Sequence, residues 1–253
     1  MALHSIRRIL IATAALPLAL GLAACGSEKK DEATSLSGTA IARIAPPAGQ
    51  IWADMVVKTP EGGYRMGNPS APIKLVEYGS LTCPHCAELA EKGSAELRDQ
   101  FVASGRVSFE FRNFVRDPID LTAALLTRCG SPQSYFALTD QAFANQPAMM
   151  ENIQKAGEPA YQAAMQRPDN QRALAMAQLT GLTDFFAARG ISKDQAAACL
   201  TNTAEAQALA KRTQEQTEQY KLEGTPTFLI NGEVIGSMGW EELRAKLQSL
   251  GAR

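Results

Sequence analysis

The sequence predicts an α/β fold in which a block of helices is inserted between two β-containing parts. Short strand-like runs occur at residues 73–78, 107–111 and 227–235, whereas residues 117–222 carry almost no strand pattern. The chain has 253 residues, which is enough for one large domain with a sizeable insertion. Its formal net charge of −1 provides no basic face, so we expect no nucleic-acid partner.

The N-terminal 25 residues carry the features of an export signal. Arg7-Arg8 form a positive segment, and the apolar run at 9–24 that follows is short for a membrane span. The run ends in Leu22-Ala23-Ala24-Cys25, which is similar to a bacterial lipobox. We therefore predict a lipoprotein signal peptide at 1–25, with Cys25 as the lipidated first mature residue. The alternatives are a signal peptide cut after Ala24, which leaves Cys25 as a free thiol, and a retained helical anchor.

Residues 26–50 are rich in Ser, Glu, Lys, Asp, Thr, Ala and Pro and have no apolar periodicity. This composition predicts a flexible tether, which would let a folded domain at 51–253 act away from a membrane surface. The alternative is an N-terminal segment without a role.

The first part of the predicted domain consists of a strand, a helix and a second strand. Residues 73–78 are β-rich and follow the turn signal Gly67-Asn68-Pro69. Cys83-Pro84 then starts a helical pattern that extends to about residue 103, because proline suits the first position of a helix. Gly93 is expected to weaken and bend this helix. Residues 107–111 alternate apolar and polar side chains and predict the second strand.

The second part consists of the helical insertion, at about 117–200, and a β-hairpin near the end of the sequence. Ser192 followed by Gln195 predicts a capping box, and a long polar helix begins at Thr203. Asn231-Gly232 is a strong signal for a two-residue hairpin turn between two short strands. An amphipathic helix is predicted after the hairpin, at about 240–250.

Four cysteines besides Cys25 lie in the predicted domain, and an even number in an exported protein suggests disulfide pairing. Four cysteines allow three connectivities, and the sequence alone does not choose among them. The close spacing of Cys83 and Cys86 favours a local redox pair and leaves Cys129 with Cys199. That second pair would close a loop of about 70 residues and is predicted to be a structural disulfide, with a second redox centre as the alternative.

Two cysteines three positions apart at the start of a helix have a specific chemical use. Only a thiolate attacks a disulfide, and the dipole and free N–H groups at a helix N-terminus stabilise that anion. Cys83, at the predicted N-cap, is therefore expected to be the exposed nucleophile, and Cys86 the buried thiol that resolves the mixed disulfide. Zinc binding is the alternative, but structural zinc normally needs a second ligand pair of similar spacing. The sequence has no such pair, so we expect no metal and no other cofactor.

The motif Cys83-Pro84-His85-Cys86, together with Gly224-Thr225-Pro226-Thr227-Phe228, resembles the thioredoxin superfamily and, within it, the DsbA-like periplasmic oxidoreductases. The resemblance covers about residues 55–250 and implies a thioredoxin fold with an inserted helical subdomain. It implies that Pro226 follows a cis peptide bond and lies against the cysteine pair. It also implies that Thr225 offers its backbone groups to an extended substrate peptide. A trans proline at a simple turn is the alternative.

Two further residues are candidates for the chemistry of the pair. The N–H groups and partial positive charge of His85 would stabilise the Cys83 thiolate and make the disulfide a stronger oxidant. Glu77 lies in the strand shortly before Cys83, and the resemblance implies a buried carboxyl that assists proton transfer at Cys86. The alternatives are a solvated His85 without effect and a Glu77 at a solvent-facing strand end.

Taken with the export signal, the resemblance implies a periplasmic, lipid-anchored oxidase that introduces disulfides into exported proteins through Cys83 and Cys86. Its expected partners are reduced or misoxidised exported proteins and a membrane redox partner that resets the pair, and we expect a monomer. Thr225 leaves the direction open, because the oxidase branch often has Val there, so a disulfide reductase or isomerase is the alternative. A non-catalytic peptide-binding protein and a metal chaperone that uses Cys83, His85 and Cys86 are further alternatives.

Overall fold

A six-stranded mixed sheet forms the centre of the structure, which is a computed structural model that describes residues 38–253. The strands are β1 (Val56–Lys58), β2 (Tyr64–Gly67), β3 (Ile73–Gly79), β4 (Val107–Asn113), β5 (Thr227–Ile230) and β6 (Glu233–Gly236). Their order across the sheet is β1-β2-β4-β3-β5-β6, and of the neighbouring pairs in it β3 and β4 are parallel while the others are antiparallel.

The strand β3 lies inside the sheet between β4 and β5. It is buried except at Lys74, and β4 is buried along its whole length, as expected for strands that are covered on both faces. Glu77 of β3 is in register with Phe111 on β4 and with Phe228 on β5. The strand ends at Gly79, so the next loop carries the chain directly to the first helix.

Helices surround this sheet and make up most of the rest of the described residues. They are α1 (Pro84–Glu96), α2 (Pro118–Thr127), α3 (Tyr135–Ala144), α4 (Gln146–Met165), α5 (Asp169–Leu179), α6 (Leu182–Ala187), α7 (Lys193–Leu200), α8 (Thr203–Tyr220) and α9 (Trp240–Ser249). The helices α2 to α7 occupy the predicted insertion, and α8 returns the chain to the sheet. Within residues 38–253, no helix combines the length and the apolar character needed to cross a membrane.

Gly93 allows α9 to pack closely against α1. A Cβ atom at this position would collide with the indole ring of Trp240, which is itself buried. Gly93 stays within α1, and the chain continues beyond this helix as a π-helical turn at Leu97–Val102. The glycine is therefore needed for a close helix–helix approach.

Of two local sequence signals, the predicted capping box forms only in its first half, and the predicted hairpin turn forms. Ser192 caps α7, because its Oγ accepts the N–H of Gln195 at 3.2 Å. The Gln195 side chain, however, donates to the carbonyl of Cys129 at 2.9 Å, so it ties α7 to the end of α2 and does not complete the reciprocal half of a capping box. Asn231 and Gly232 both have positive φ, 53° and 89°, as a type I′ hairpin turn requires.

The strands β1 and β2 have no clear pattern in the sequence, yet they extend the sheet beyond β4. Each is short, and β1 carries the half-exposed Val57 at the edge of the sheet. β2 is held by antiparallel pairing with β4, from Tyr64 opposite Phe111 to Gly67 opposite Ser108. Because that partner lies far along the chain, local periodicity does not predict the pairing.

The last part of the predicted tether at 26–50 is bonded to the folded domain. The N–H groups of Gly38 and Ile41 donate to the carbonyls of Ser249 and Gly251, at 2.8 and 2.9 Å. The expectation of a free segment up to residue 50 is therefore not met, because these residues find backbone partners at the last residue of α9 and just after it. Residues 26–37, the predicted signal peptide at 1–25 and its Cys25 lie outside the described residues.

Candidate active site

The two cysteines of the predicted redox pair lie at the N-terminus of α1. Cys83 is the N-cap residue with extended backbone, and Pro84 begins the helix. Both cysteines are free thiols, and both are buried, with 3% and 0% of their surface exposed. The burial of Cys83 corrects the expectation of an exposed nucleophile. Its sulfur is covered by the loop at Thr225, whose carbonyl accepts a hydrogen bond from Cys83 Sγ at 3.2 Å.

The environment of Cys83 stabilises its thiolate. A hydrogen bond from the Cys86 thiol is the largest cause, and it lowers the pKa of Cys83 to about 5 against the opposing effect of burial. A hydrogen bond from the Thr225 side chain and the backbone N–H groups of Cys86 and His85 lower the pKa further. The helix N-terminus therefore acts as the sequence predicts, through its free N–H groups.

The environment of Cys86 has the opposite effect. Its hydrogen bond with Cys83, its burial and the negative charge of Glu77 raise the pKa of Cys86 far above the ordinary value. The backbone N–H of Ser80 opposes this rise. At neutral pH, one sulfur of the pair is thus a thiolate and the other carries a proton.

Glu77 is buried below the pair, on β3, with only 2% of its surface exposed. Burial is the main cause that raises the pKa of Glu77 to about 8, and the negative charges of Asp140 and Cys83 add to it. Among the described residues, Glu77 Oε1 has no hydrogen-bond partner. The carboxyl can therefore hold a proton near neutral pH and exchange it, as expected for a residue that serves Cys86.

His85 is part of the site, but its ring lies at the surface. The side chain is 82% exposed, and its Nδ1 lies 4.0 Å from the carboxylate of Glu88. The part of His85 that lowers the pKa of Cys83 is its backbone N–H. The stabilising effect that the sequence assigns to the imidazole is therefore found at the main chain.

Thr225 and Pro226 form the wall opposite α1. Their peptide bond is cis, and Pro226 borders a groove of about 500 Å³. Apolar residues of the groove are Leu89, Met238 and Trp240, and His85 lies at its edge with charged residues such as Lys92 and Glu242. The groove therefore begins beside Pro226, the residue that follows the Thr225 carbonyl in contact with Cys83.

Two aspartates of the insertion hold the loop between β3 and α1, although no motif in the sequence marks either of them as part of the site. Asp120 Oδ2 accepts the hydroxyl of Ser80 at 2.7 Å, and its Oδ1 accepts the N–H of Leu81 at 2.8 Å. Asp117 Oδ2 accepts the hydroxyl of Thr82 at 2.8 Å, while its other oxygen caps α2. The Asp-Pro signal at 117–118 predicts the cap, but nothing local predicts the contacts with the loop.

Gln146, at the start of α4, is a third contact of this kind. It is buried, and its Nε2 donates to the carbonyls of Leu81 and Cys83 at 3.0 and 3.1 Å. In the loop that leads to Cys83, both a backbone N–H and backbone carbonyls are therefore hydrogen-bonded to the inserted helices.

Cys129 and Cys199 are joined by a disulfide with an S–S distance of 2.03 Å and a Cα–Cα distance of 5.8 Å. The bond connects the residue that follows the C-cap of α2 to α7. Of the three possible connectivities, the structure therefore has the one in which Cys83 and Cys86 remain available to each other.

The residues of the metal-chaperone alternative do not converge. Cys83 and Cys86 are buried, whereas the His85 ring is exposed. Over residues 38–253 there is no group of three or more His, Cys, Asp or Glu side chains arranged to hold a metal ion.

A model of the protein family described as Thioredoxin matches residues 59–249. The match includes Cys83, Cys86, the helical insertion and Pro226, so the residues of the site lie inside it.

Curated relatives carry a name from disulfide chemistry. The chain is 27% identical over 175 residues to a "Putative protein-disulfide oxidoreductase" of Rickettsia bellii, covering 69% of this chain and 59% of the relative. A protein of the same description from Rickettsia conorii is 26% identical over 202 residues, covering 77% and 65%. The chain thus spans about three fifths of the length of these relatives.

Solved structures confirm the predicted fold class, a thioredoxin fold with a helical insertion. A protein-disulfide isomerase from Novosphingobium aromaticivorans is 36% identical and has a TM-score of 0.69. The alignment covers 73% of this chain and 95% of that one. The alpha-DsbA1 of Wolbachia pipientis has a TM-score of 0.60 at 19% identity, covering 76% and 92%, and shows the likeness of fold alone.

Proposed function

The chain belongs to the thioredoxin family, and we propose that it is a periplasmic thiol–disulfide oxidoreductase that introduces disulfides into exported proteins. The observation that carries this proposal is the opposite effect of the site on its two thiols. The pKa of Cys83 is lowered to about 5, while that of Cys86 is raised. A stable Cys83 thiolate favours the reduced pair, which makes the disulfide of Cys83 and Cys86 a better oxidant.

The size of this effect supports oxidation of substrates. At pH 7 a thiol with a pKa of about 5 is ionised, which stabilises the reduced pair by about 3 kcal/mol relative to an ordinary thiol. For a two-electron couple this corresponds to about 60 mV in the oxidising direction.

The reaction starts from the disulfide form of the pair. A substrate thiolate attacks Cys83 Sγ and forms a mixed disulfide, while the Cys83–Cys86 bond breaks and its electron pair goes to Cys86. A second substrate thiolate then attacks the substrate sulfur of the mixed disulfide, and Cys83 leaves as a thiolate. The substrate loses two electrons and gains a disulfide, and the cysteine pair is left reduced.

Glu77 supplies the proton that the first step requires. Cys86 leaves as a buried anion, and its raised pKa means that it takes up a proton at neutral pH. The carboxyl of Glu77, with a pKa of about 8, is protonated at neutral pH, and its negative charge once ionised raises the pKa of Cys86. The proton moves from Glu77 to Cys86 in the first step and returns when the pair is oxidised again.

The groove beside Pro226 would bind the substrate, with Thr225 offering its backbone groups to an extended peptide. The Thr225 carbonyl accepts a hydrogen bond only from the protonated Cys83 thiol, so this group is free for a peptide when Cys83 is a thiolate or part of a disulfide. We further propose that a membrane redox partner reoxidises the pair and that lipidation of Cys25 keeps the protein at a bacterial membrane.

The proposal is tested by the reduction potential of the pair, measured in glutathione buffers, together with oxidation of a reduced unfolded protein. We expect a potential more positive than about −200 mV, because oxidants of this type lie near −120 mV and thioredoxin near −270 mV. Cys83→Ser should abolish oxidation, whereas the control Cys129→Ala/Cys199→Ala should retain it. A potential near that of thioredoxin, or oxidation that survives Cys83→Ser, would contradict the proposal.

An isomerase is the second candidate, and two observations favour it. Thr225 stands before Pro226, and the solved structure at 36% identity is named a protein-disulfide isomerase. In that reaction the reduced Cys83 thiolate attacks a wrong disulfide and is released when the correct one forms. A substrate protein with scrambled disulfides should regain its activity while Cys83 and Cys86 are kept reduced. That result would favour isomerisation over oxidation.

A further inference from the structure

The loop Ser80–Thr82 connects β3 to Cys83, and its conformation decides where the N-terminus of α1 places the redox sulfur. The Cys83 N–H donates to the Ser80 carbonyl at 3.1 Å, so Cys83 is the last residue of a turn that begins at Ser80. A shift of Ser80 or Leu81 therefore moves Cys83 relative to Thr225 and to the N–H groups that stabilise its thiolate.

Asp120 holds this turn from outside the redox half of the fold. It is a residue of α2 with 1% of its surface exposed, and three donors converge on its carboxylate. The Ser80 hydroxyl and the Arg116 N–H donate to Oδ2 at 2.7 and 2.9 Å, and the Leu81 N–H donates to Oδ1 at 2.8 Å. Within the described residues, no Lys or Arg side chain forms an ion pair with it.

The partners of Asp120 require a group that only accepts hydrogen bonds, which this residue is once its carboxyl has ionised. Burial raises the pKa of Asp120 to about 7, and the hydrogen bonds from Ser80, Arg116 and Leu81 oppose that rise. The N–H groups of Leu81 and Arg116 can only donate. The Ser80 oxygen already accepts the N–H of Thr82 at 3.2 Å, which leaves its hydrogen for the carboxylate. An Asn side chain of the same shape would turn an NH₂ group toward at least one of these donors and break that contact.

We propose that Asp120 is a positioning residue for the redox pair, which holds the Ser80–Leu81 turn so that Cys83 stays against Thr225 and the N–H groups of α1. Where this proposal concerns turnover, it rests on the proposed function. The effect of Asp120 on the two sulfurs does not depend on that function. The turn also touches the second thiol, since the backbone N–H of Ser80 is a group that favours the charged form of Cys86. One carboxylate of the insertion thereby acts on both cysteines through the same residue.

The test is the redox equilibrium of the full-length protein with glutathione at pH 8, where the Asp120 carboxyl is ionised. In Asp120→Asn we expect this equilibrium to shift by about tenfold or more toward the disulfide form, because the donors around the Cys83 thiolate lose their alignment. Ser80→Ala should produce a smaller shift in the same direction, because it removes one of the three donors to Asp120. Glu205→Gln is the control, since it removes a carboxylate that holds the buried Arg128 and should lower stability without changing the equilibrium.

An equilibrium that stays at the parent value in folded Asp120→Asn would overturn the proposal, and so would the same shift in Glu205→Gln. If Asp120→Asn does not fold, an unchanged equilibrium in Ser80→Ala overturns it instead. The equilibrium with glutathione is measured without a protein substrate, so these outcomes are independent of whether the parent protein oxidises substrates.

Discussion

Glu77→Gln should make the folded protein more stable at pH 8 while it slows disulfide exchange. The folded state holds Glu77 in a buried position that raises its pKa to about 8 from an ordinary value of 4.5. A neutral Gln removes the free energy needed to ionise that carboxyl in the protein interior, which is about 5 kcal/mol at full effect. The same substitution removes the acid that protonates Cys86, so exchange should slow by at least about tenfold.

The pH dependence of this effect follows from the direction of the pKa change. Below about pH 4.5 the carboxyl is protonated in both the folded and the unfolded chain, so parent and variant differ little. As the pH rises from about 4.5 to about 8, the unfolded chain ionises freely and the folded protein does not, so the parent loses stability. The advantage of Glu77→Gln therefore grows through this range and becomes constant above it.

Denaturant unfolding of both proteins at a series of pH values measures the stability, and mixed-disulfide formation with a model peptide measures the exchange. The matched control is Glu110→Gln on β4. Glu110 is also buried, but it pairs with Arg112 at 2.7 Å, so its loss should destabilise the protein and leave the exchange rate unchanged. Equal stability of Glu77→Gln and parent at pH 8 would contradict the buried, protonated state of Glu77.

Removing the disulfide between Cys129 and Cys199 should lower the free energy of unfolding by about 4 kcal/mol. The two residues are 70 positions apart, and a cross-link of that span restricts the unfolded chain by about this amount in the chain-entropy account. For a domain of this size we expect the melting temperature of Cys129→Ala/Cys199→Ala to fall by about 10 °C. The Cys83 pKa should not change, since we propose that the bond is structural.

Single variants provide the control for the disulfide, measured under oxidising conditions. Cys199→Ala alone should lose as much stability as the double variant, because either change removes the same cross-link. The effects of the two single variants should therefore not add. An unchanged melting temperature in the double variant would show that the bond does not stabilise the fold, and a changed reduction potential of Cys83 and Cys86 would show that it is not merely structural.

The sequence predicts the parts of the site that depend on short motifs. Cys83-Pro84-His85-Cys86 after a β-rich run predicts cysteines at a helix N-terminus, and Asn231-Gly232 predicts the hairpin that follows the Thr225-Pro226 loop. The position of that loop against Cys83 comes from the family resemblance, because no local pattern relates segments so far apart in the chain.

The rest of the site depends on how distant segments pack, which a single sequence does not encode in a local pattern. Asp120 and Gln146 reach the loop before Cys83 only because the inserted helices lie beside it. The burial of Cys83 depends in the same way on Thr225, and the pairing of β2 depends on β4. The charge of the His85 ring predicts that the ring stabilises the Cys83 thiolate. Because the ring is exposed, the backbone N–H of His85 lowers the pKa of Cys83 instead.

The pKa of Cys83 in the reduced protein tests the central claim most directly, since the claim is that the Cys86 thiol and the N–H groups of the helix N-terminus make Cys83 a stable thiolate. Ultraviolet absorbance of the thiolate should show one group with a pKa of about 5, and Cys83→Ser should lack it. The Cys86 thiol should stay protonated through the same pH range. A Cys83 pKa near the ordinary value of about 8.5 would contradict the account, because the pair would then have no special tendency to stay reduced and to oxidise its substrates.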